Sequence, residues 1–459
     1  MADSKKTSLE AQLDALGINS DCAGFSGVFR EKIHLDVCSP RCFGSVIRFD
    51  GSIAVVRGIK VIWGTICRII CDDKLEAYAE VIGFREQDVI LAWIEGTKRI
   101  FPGARVESVG LVDDVLVGDG LLGRVLDADG KPLDGQGAVD VCEHVALMGV
   151  ASNPLERGEI VEPVSIGVRA IDALVPLGLG QRIGIIAGSG VGKSVLLSMM
   201  CSFTNADVVI AGLIGERARE VSRFVEHVIT PETRQRTIVV ATTADRSPIL
   251  RIRAAHRVAA YAEYFAAKGK NVLLVLDSLT RVGHAQREIG LALGEQPTAR
   301  GYPPSVLALL PGLIERAGRN LVSGGSVTAL YTILADGDDH NDPIVDTARA
   351  ITDGHIVLSR KLAEQGVYPA IDIMASISRS VIDITNKEHQ KAMKKFRRFY
   401  TLYEENRDLF FMGGYQKGQD PEIDFALEKY PMLLQLIQQN PDECIQGSES
   451  IKQLKDLVL

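Results

Sequence analysis

No apolar run in this 459-residue chain approaches the ~20 residues that span a bilayer. The most apolar stretch, Leu174 to Ala187, is broken by Arg182. The opening Met-Ala-Asp-Ser-Lys-Lys-Thr-Ser has no apolar core of the secretory-signal kind. These absences predict a cytoplasmic protein, peripheral to a membrane only through partners. Positive charge is not in excess either. With 51 basic and 59 acidic side chains the formal charge is −8, so the general electrostatic footprint of a nucleic-acid binder is missing. Histidines that would complete a zinc set with the scattered cysteines are absent. Cys38/Cys42 and Cys67/Cys71 are spaced four apart, whereas Cys22, Cys142, Cys201 and Cys444 stand alone. The pattern predicts reduced thiols rather than a metal site. No internal repeat or low-complexity tract is present.

What is there reads as about three units, the number that the length suggests. Residues 1–20 form a short amphipathic leader: Ser8 can cap it, Leu9, Leu13 and Leu16 share a face, and Gly17 stops it. So short a helix is marginal alone, which makes it a candidate partner-binding segment. Residues 21–110 carry short β-rich runs at regular spacing, the pattern of a small all-β barrel or sandwich. In residues 111–380 apolar runs alternate with helical stretches, the signature of a parallel sheet covered on both faces. The runs are Arg182 to Ile186, Val208 to Leu213, Thr237 to Val240, Val272 to Leu276 and Val327 to Ile333. Residues 381–459 read as helical, over Lys387 to Asn406 and Pro421 to Gln439, with Gly413-Gly414 between. The run Lys394 to Arg398 reads as one solvated helix face.

The strongest chemical signal is Ala187-Gly188-Ser189-Gly190-Val191-Gly192-Lys193-Ser194, set between an apolar strand and a helical run beginning Ser194-Val195. Glycines let backbone N–H groups turn inward onto phosphate oxygens, and the helix that follows adds its positive end. Lys193 supplies a point charge for the β and γ phosphates, and Ser194 a hydroxyl for Mg²⁺. Ala187 stands where the strict pattern has glycine, which is tolerable where φ stays negative. A glycine-rich turn with an incidental lysine is the bland alternative, and the strand–helix context speaks against it. The pattern predicts binding of ATP or another nucleoside triphosphate.

Hydrolysis needs residues for metal and water. The strand ending in Asp277 offers a Mg²⁺-holding carboxylate. A second strand ends in Gly215-Glu216-Arg217-Ala218-Arg219-Glu220, placing Glu216 past the carboxyl end of a neighbouring strand, where ligands sit in such folds. There it can polarise the attacking water, or else be a solvated helix start.

These three blocks, together with Pro369-Ala-Ile-Asp372-Ile-Met-Ala-Ser376-Ile-Ser378, resemble the catalytic subunit of rotary ATP synthases and its type III export-ATPase relatives. The resemblance runs from the β region to about Gln439. It implies a small amino-terminal β-barrel, a RecA-like P-loop ATPase domain with a mostly parallel sheet, and a carboxy-terminal helical domain. It also implies that Glu216 positions water, Arg217 orients phosphate, Tyr368 packs on adenine, and Arg379 reaches into a neighbouring subunit's site. Passages such as Asp277-Ser-Leu-Thr-Arg281, Gln286-Arg-Glu-Ile-Gly and Gly301-Tyr-Pro-Pro-Ser305 resemble the export ATPases, and Asp245-Arg-Ser-Pro-Ile-Leu-Arg251 the flagellar ones. The implied partners are further copies in a homohexamer and a stator-like regulatory dimer on the amino-terminal helix. A coiled-coil stalk in the pore, a membrane export gate and chaperone–cargo complexes complete the set. The loop Gly301 to Gly318 would line the pore. A proton-driven synthase subunit, an injectisome export ATPase, a hexameric RNA translocase and a non-catalytic nucleotide-binding subunit are the alternatives. The translocase would need a basic-aromatic barrel face for stacking bases, and Phe43, Phe49, Trp63 and Phe84 are not interleaved with dense basic residues. The non-catalytic subunits lack the carboxylate that Glu216 supplies.

Overall fold

The computed structural model describes residues 43–72, 75–149, 153–335 and 342–459. The leader helix and Cys22, Cys38 and Cys42 lie outside the described residues. Six strands close a barrel: β1 (Phe43–Phe49), β2 (Ile53–Arg57), β3 (Thr65–Asp72), β4 (Leu75–Arg85), β5 (Asp88–Gly96) and β6 (Arg105–Leu111), in the order β1-β2-β5-β4-β3-β6. The alternation along β4 shows why: Ala77, Ala79 and Val81 face a core shared with Val56, Ile69 and Val106, whereas Tyr78 and Glu80 face out. Cys67 joins that core, where burial pushes its thiol up to about 12. It is an apolar filler, and among the described residues no group of three His, Cys, Asp or Glu gathers to hold a metal.

A ten-stranded sheet forms the centre of the chain. Its main strands are β7 (Val125–Leu126), β8 (Arg182–Ala187), β9 (Val208–Glu216), β10 (Thr237–Thr243), β11 (Asn271–Asp277), β12 (Ser326–Leu334), β13 (Gly354–Leu358) and β14 (Ile371–Ser378). They lie in the order β14-β13-β8-β12-β11-β9-β10-β7, all parallel except β14. Every residue of β9 is buried, as expected of a strand covered on both faces. Crossover helices supply the cover: α1 (Lys193–Phe203), α2 (Ala218–Val228), α3 (Pro248–Ala267), α4 (Leu279–Leu293) and α5 (Pro304–Ile314). The packing is close at Gly212, where a Cβ would lie 2.8 Å from Val258 of α3. The segment expected as a loop over Gly301 to Gly318 is mostly the helix α5, because Pro304 at its first turn fixes a helical φ.

Three further helices complete the chain: α6 (Lys387–Phe411), α7 (Pro421–Ile437) and α8 (Gly447–Val458). Asn386 caps α6 and Asp420 caps α7 through side-chain oxygens. Phe396, Leu433 and Leu454 share one apolar core with Leu196 and Met200 of α1. The run Lys394 to Arg398 is not a single solvated face. Phe396 is fully buried, Lys395 donates to Val458 O, Arg397 to Ser376 O and Arg398 to Glu422. The helix turns residues 100° apart, so five consecutive positions cannot share a face. Among the described residues no helix is long and apolar enough to cross a membrane.

Barrel and sheet are joined by a buried ionic knot. Arg253 of α3 is 7% exposed and donates to Asp129, 2.5 Å away, and to Glu80 of β4. Removing one member of such a set leaves uncompensated buried charge, at a cost of about 3–5 kcal/mol. Arg253→Ala is therefore expected to destabilise the chain by about that much in denaturant unfolding. A loss below about 1 kcal/mol would show the knot to be solvated.

Candidate functional site

The phosphate loop follows β8 at the carboxyl end of the parallel sheet. Ala187 is the last strand residue, buried, and is not among the positive-φ positions, so alanine fits there. Gly190 and Gly192 have φ of 80° and 88°, the left-handed region in which a Cβ is costly. Gly192 is the N-cap of α1 and makes no side-chain capping bond, so the first-turn amides have no side-chain acceptor. Gly188 and Val191 are buried, whereas Ser189, Ser194 and Val195 are exposed.

Lys193 Nζ donates to Asp277 Oδ1 and lies 3.8 Å from Glu216 Oε1. All three side chains are nearly buried, at 12%, 6% and 10% exposed. Register explains the grouping: Asp277 pairs with Leu213 on β9, and a bulge at Gly215, φ 72°, carries Glu216 beyond it. Asp277 Oδ1 also accepts from Thr332 Oγ1 at 2.7 Å. Glu216 Oε1 is buried with no hydrogen-bond partner among the described residues. Burial, and then the charge of Asp277, push the Glu216 carboxyl up to about 7, against the opposing pull of Lys193.

Tyr368 stands over the loop, its ring carbons 3.3 Å from where a Gly192 Cβ would be. It borders a cleft of about 810 Å³ that Gly190, Gly192, Val195, Leu196 and Gln438 also line. That volume falls within the ~300–1,000 Å³ of ligand sites. Thus Lys193, Ser194, Val195, Glu216, Asp277 and Tyr368 gather at one end of the sheet.

Arg217 and Arg379 do not join them. Arg217 is the N-cap of α2, its side chain 85% exposed, with Glu220 Oε1 at 3.8 Å. Arg379 follows the antiparallel strand β14, whose Ser378 pairs with Gly354, while Leu358 at the other end of β13 pairs with Ala187. Arg379 is exposed there, donating to Arg349 O at 3.2 Å. Four strand residues, roughly 13 Å, separate that level from the phosphate loop.

Two residues escaped the sequence reading. Arg281 packs its Cβ, Cγ and Cδ on Gly215, and its Nε has no hydrogen-bond partner among the described residues. Its place four residues after Asp277, on the first turn of a helix, is the signal that would have found it. Gln439, 6% exposed, holds the cleft from behind: its N–H donates to Tyr368 O (2.9 Å), its Nε2 to Gly167 O (2.9 Å), and its Oε1 accepts from Arg169 N (2.7 Å). No local pattern announces a side chain that acts across such sequence distances.

Because the native chain holds the Glu216 proton to higher pH than an unfolded chain, this group lowers stability progressively from about pH 4.5 to about pH 7. Glu216→Gln is therefore expected to raise the nucleotide-free Tm at pH 8 and leave it unchanged at pH 4. Equal shifts at both pH values would contradict a raised carboxyl.

Comparison with known proteins bears on this site. Residues 167–378 match the model of the ATP synthase alpha/beta family, nucleotide-binding domain, and residues 385–456 that of the T3SS EscN ATPase C-terminal domain. The chain is 46% identical to the flagellum-specific ATP synthase of Pseudomonas aeruginosa over 90% of its own length and 93% of that protein. It is 47% identical to that of Salmonella typhimurium, over 91% and 94%. Its fold matches the assembled ATPase EscN of enteropathogenic E. coli in complex with its central stalk EscO, with TM-score 0.83 and 39% identity, covering 91% of this chain and all of that one. The chain belongs to the ATP synthase alpha/beta family, within its flagellum-specific and type III secretion ATPases.

Proposed function

We propose that this chain is a homohexameric ATP hydrolase whose active sites lie between neighbouring copies, and that it energises type III export of flagellar components. The observation that carries the reading is the split of the site: Lys193, Glu216 and Asp277 at one end of the sheet, Arg379 exposed at the other. The flagellar assignment rests on 46% and 47% identity to flagellum-specific relatives, against 39–43% to the type III secretion ATPases of known structure. EscN's complex with a central stalk supports a coiled-coil stalk partner here, with α5 lining the pore. The family supports the remaining partners: a regulatory dimer on the leader, an export gate and chaperone–cargo complexes. It supports equally a cytoplasmic position beside the inner membrane. No nucleic acid is required.

In this mechanism the loop amides from Gly188 to Ser194 and the Lys193 ammonium hold the β and γ phosphates. Tyr368 covers adenine, and Arg281, packed on Gly215 beside Glu216, faces the γ-phosphate; Arg217, exposed at the start of α2, reaches it only by turning inward. Ser194 and Asp277 are hard oxygen donors suited to Mg²⁺, and two protein ligands match an ion that keeps waters and takes phosphate oxygens. Mg²⁺ would neutralise phosphate charge. Glu216 orients the attacking water and accepts its proton, a task for which a carboxyl near pH 7 is well matched. Arg379 of the neighbouring copy offsets charge that develops on the transferred phosphoryl group, worth about 10³–10⁵ in rate.

Arg379→Ala is expected to keep ATP affinity and lose about 10³-fold or more in kcat. Glu216→Gln is expected to bind ATP with a loss of about 10²–10⁴-fold. Mixing the two inactive variants is the decisive test. An interface formed by Glu216 of one copy and Arg379 of the other restores measurable turnover. No recovery on mixing, with hexamers formed, would refute a site shared between copies.

A further inference from the structure

The segment Asp245-Arg-Ser-Pro-Ile-Leu-Arg251 has no part in the chemistry above, yet it forms one wall of a second polar cavity. This cavity, about 290 Å³, lies between the barrel and the central domain. Trp93 and Lys98 face it from the barrel side, and Arg246, Ser247 and Arg251 from the start of α3. Three of its side chains carry atoms with no hydrogen-bond partner among the described residues: Trp93 Nε1, Ser247 Oγ and Arg251 Nε. Ser247 and Arg251 are only 5% and 8% exposed, so bulk water does not satisfy them. Ser247 is also the N-cap of the twenty-residue helix α3 and makes no side-chain capping bond there. The positive end of a long helix therefore opens on the same space.

The charges around the cavity are unequal. Its acids are Asp245 and Glu288, and both are engaged. Asp245 accepts from the Thr243 hydroxyl, which holds its carboxyl below the usual range. Glu288 takes Arg251 Nη2 at 2.9 Å on both oxygens, leaving Nε. Against them stand Arg251, the exposed Arg246, and Lys98, whose Nζ lies 4.5 Å from the Trp93 ring centroid. Indole and guanidinium nitrogens donate only. A partner must therefore bring several acceptors and negative charge. A tetrahedral phosphate brings more acceptor oxygens than the two of a carboxylate.

We propose that this cavity is a second phosphate-binding site, separate from the catalytic loop, that takes free inorganic phosphate or the phosphate of a small phosphorylated molecule. The site adjoins the catalytic strand: Ala244 N donates to Glu216 O at 3.2 Å, and Asp245 and Arg246 follow directly.

Trp93 is a built-in reporter. The chain has two tryptophans, and the other, Trp63, is 59% exposed, so Trp63→Phe isolates the signal. The full-length variant, its catalytic loop saturated with Mg-ADP, is titrated with inorganic phosphate and with phenyl phosphate at constant ionic strength. Each is expected to change Trp93 emission saturably, with affinity falling at least tenfold in Ser247→Ala/Arg246→Gln. Tighter binding of phenyl phosphate assigns an organic phosphate packed on Trp93, and equal affinity assigns the free ion. A response that does not saturate, that chloride reproduces, or that survives the double substitution overturns the site. ADP binding is scored separately by calorimetry, so failure of the nucleotide reading is distinguishable from failure of this one.

Discussion

A single ammonium group, Lys193 Nζ, lies against one buried carboxylate, Asp277, and 3.8 Å from a second, Glu216. Two acids so close and so poorly solvated cannot both ionise freely, and one cation offsets only part of their repulsion. Asp277 takes the stronger share, through Lys193 and Thr332, and Glu216 is left with an unpartnered oxygen and a raised carboxyl. The two acids therefore differ in role through environment alone. The one hydrogen-bonded by Lys193 and Thr332 suits a metal, and the one held near neutrality suits a proton. The sheet order and the crossover helices hold these three groups in register.

That register also sends Arg379 away. Because β14 runs antiparallel to the rest, the chain leaves the sheet at the end opposite the phosphate loop. A finger placed there cannot serve its own chain's nucleotide without dismantling β13 and β14. On the mechanism proposed above, one reversed edge strand turns the set of catalytic residues into two half-sites on different sides of one molecule. In that arrangement turnover depends on assembly, a coupling that a two-domain enzyme with its arginine in cis would lack.

Much of this was legible in the sequence, for identifiable reasons. The phosphate loop, Asp277 and Glu216 are local: each sits just after an apolar strand, and strand ends in a parallel sheet converge. The barrel was legible from the regular spacing of its short β-rich runs. What escaped depends on distant contacts. Arg397 reaches Ser376 and Phe396 fills a core built partly by α1, so a charged run that scans as solvent-facing is half packed. Gln439 acts on Tyr368, Gly167 and Arg169, none of them near in sequence. The helical character of α5 was missed because the loop over Gly301 to Gly318 was taken from the resemblance, whereas Pro304 counted as a helix start would have announced it.

The two joints of the molecule differ in kind. The barrel is fixed to α3 by Arg253 between Glu80 and Asp129, nearly buried charges that resist sliding because any displacement strands one of them. The helical domain is attached partly through the nucleotide cleft and partly beside it, through Arg397 on Ser376 O and a core shared with α1. Gln438 lines that cleft, and Gln439 holds the backbone of Tyr368, the residue that faces the phosphate loop. A ligand that moves Tyr368 must therefore move, or strain, the segment leading from α7 to α8. The barrel is anchored independently of the cleft, and the helical domain is not.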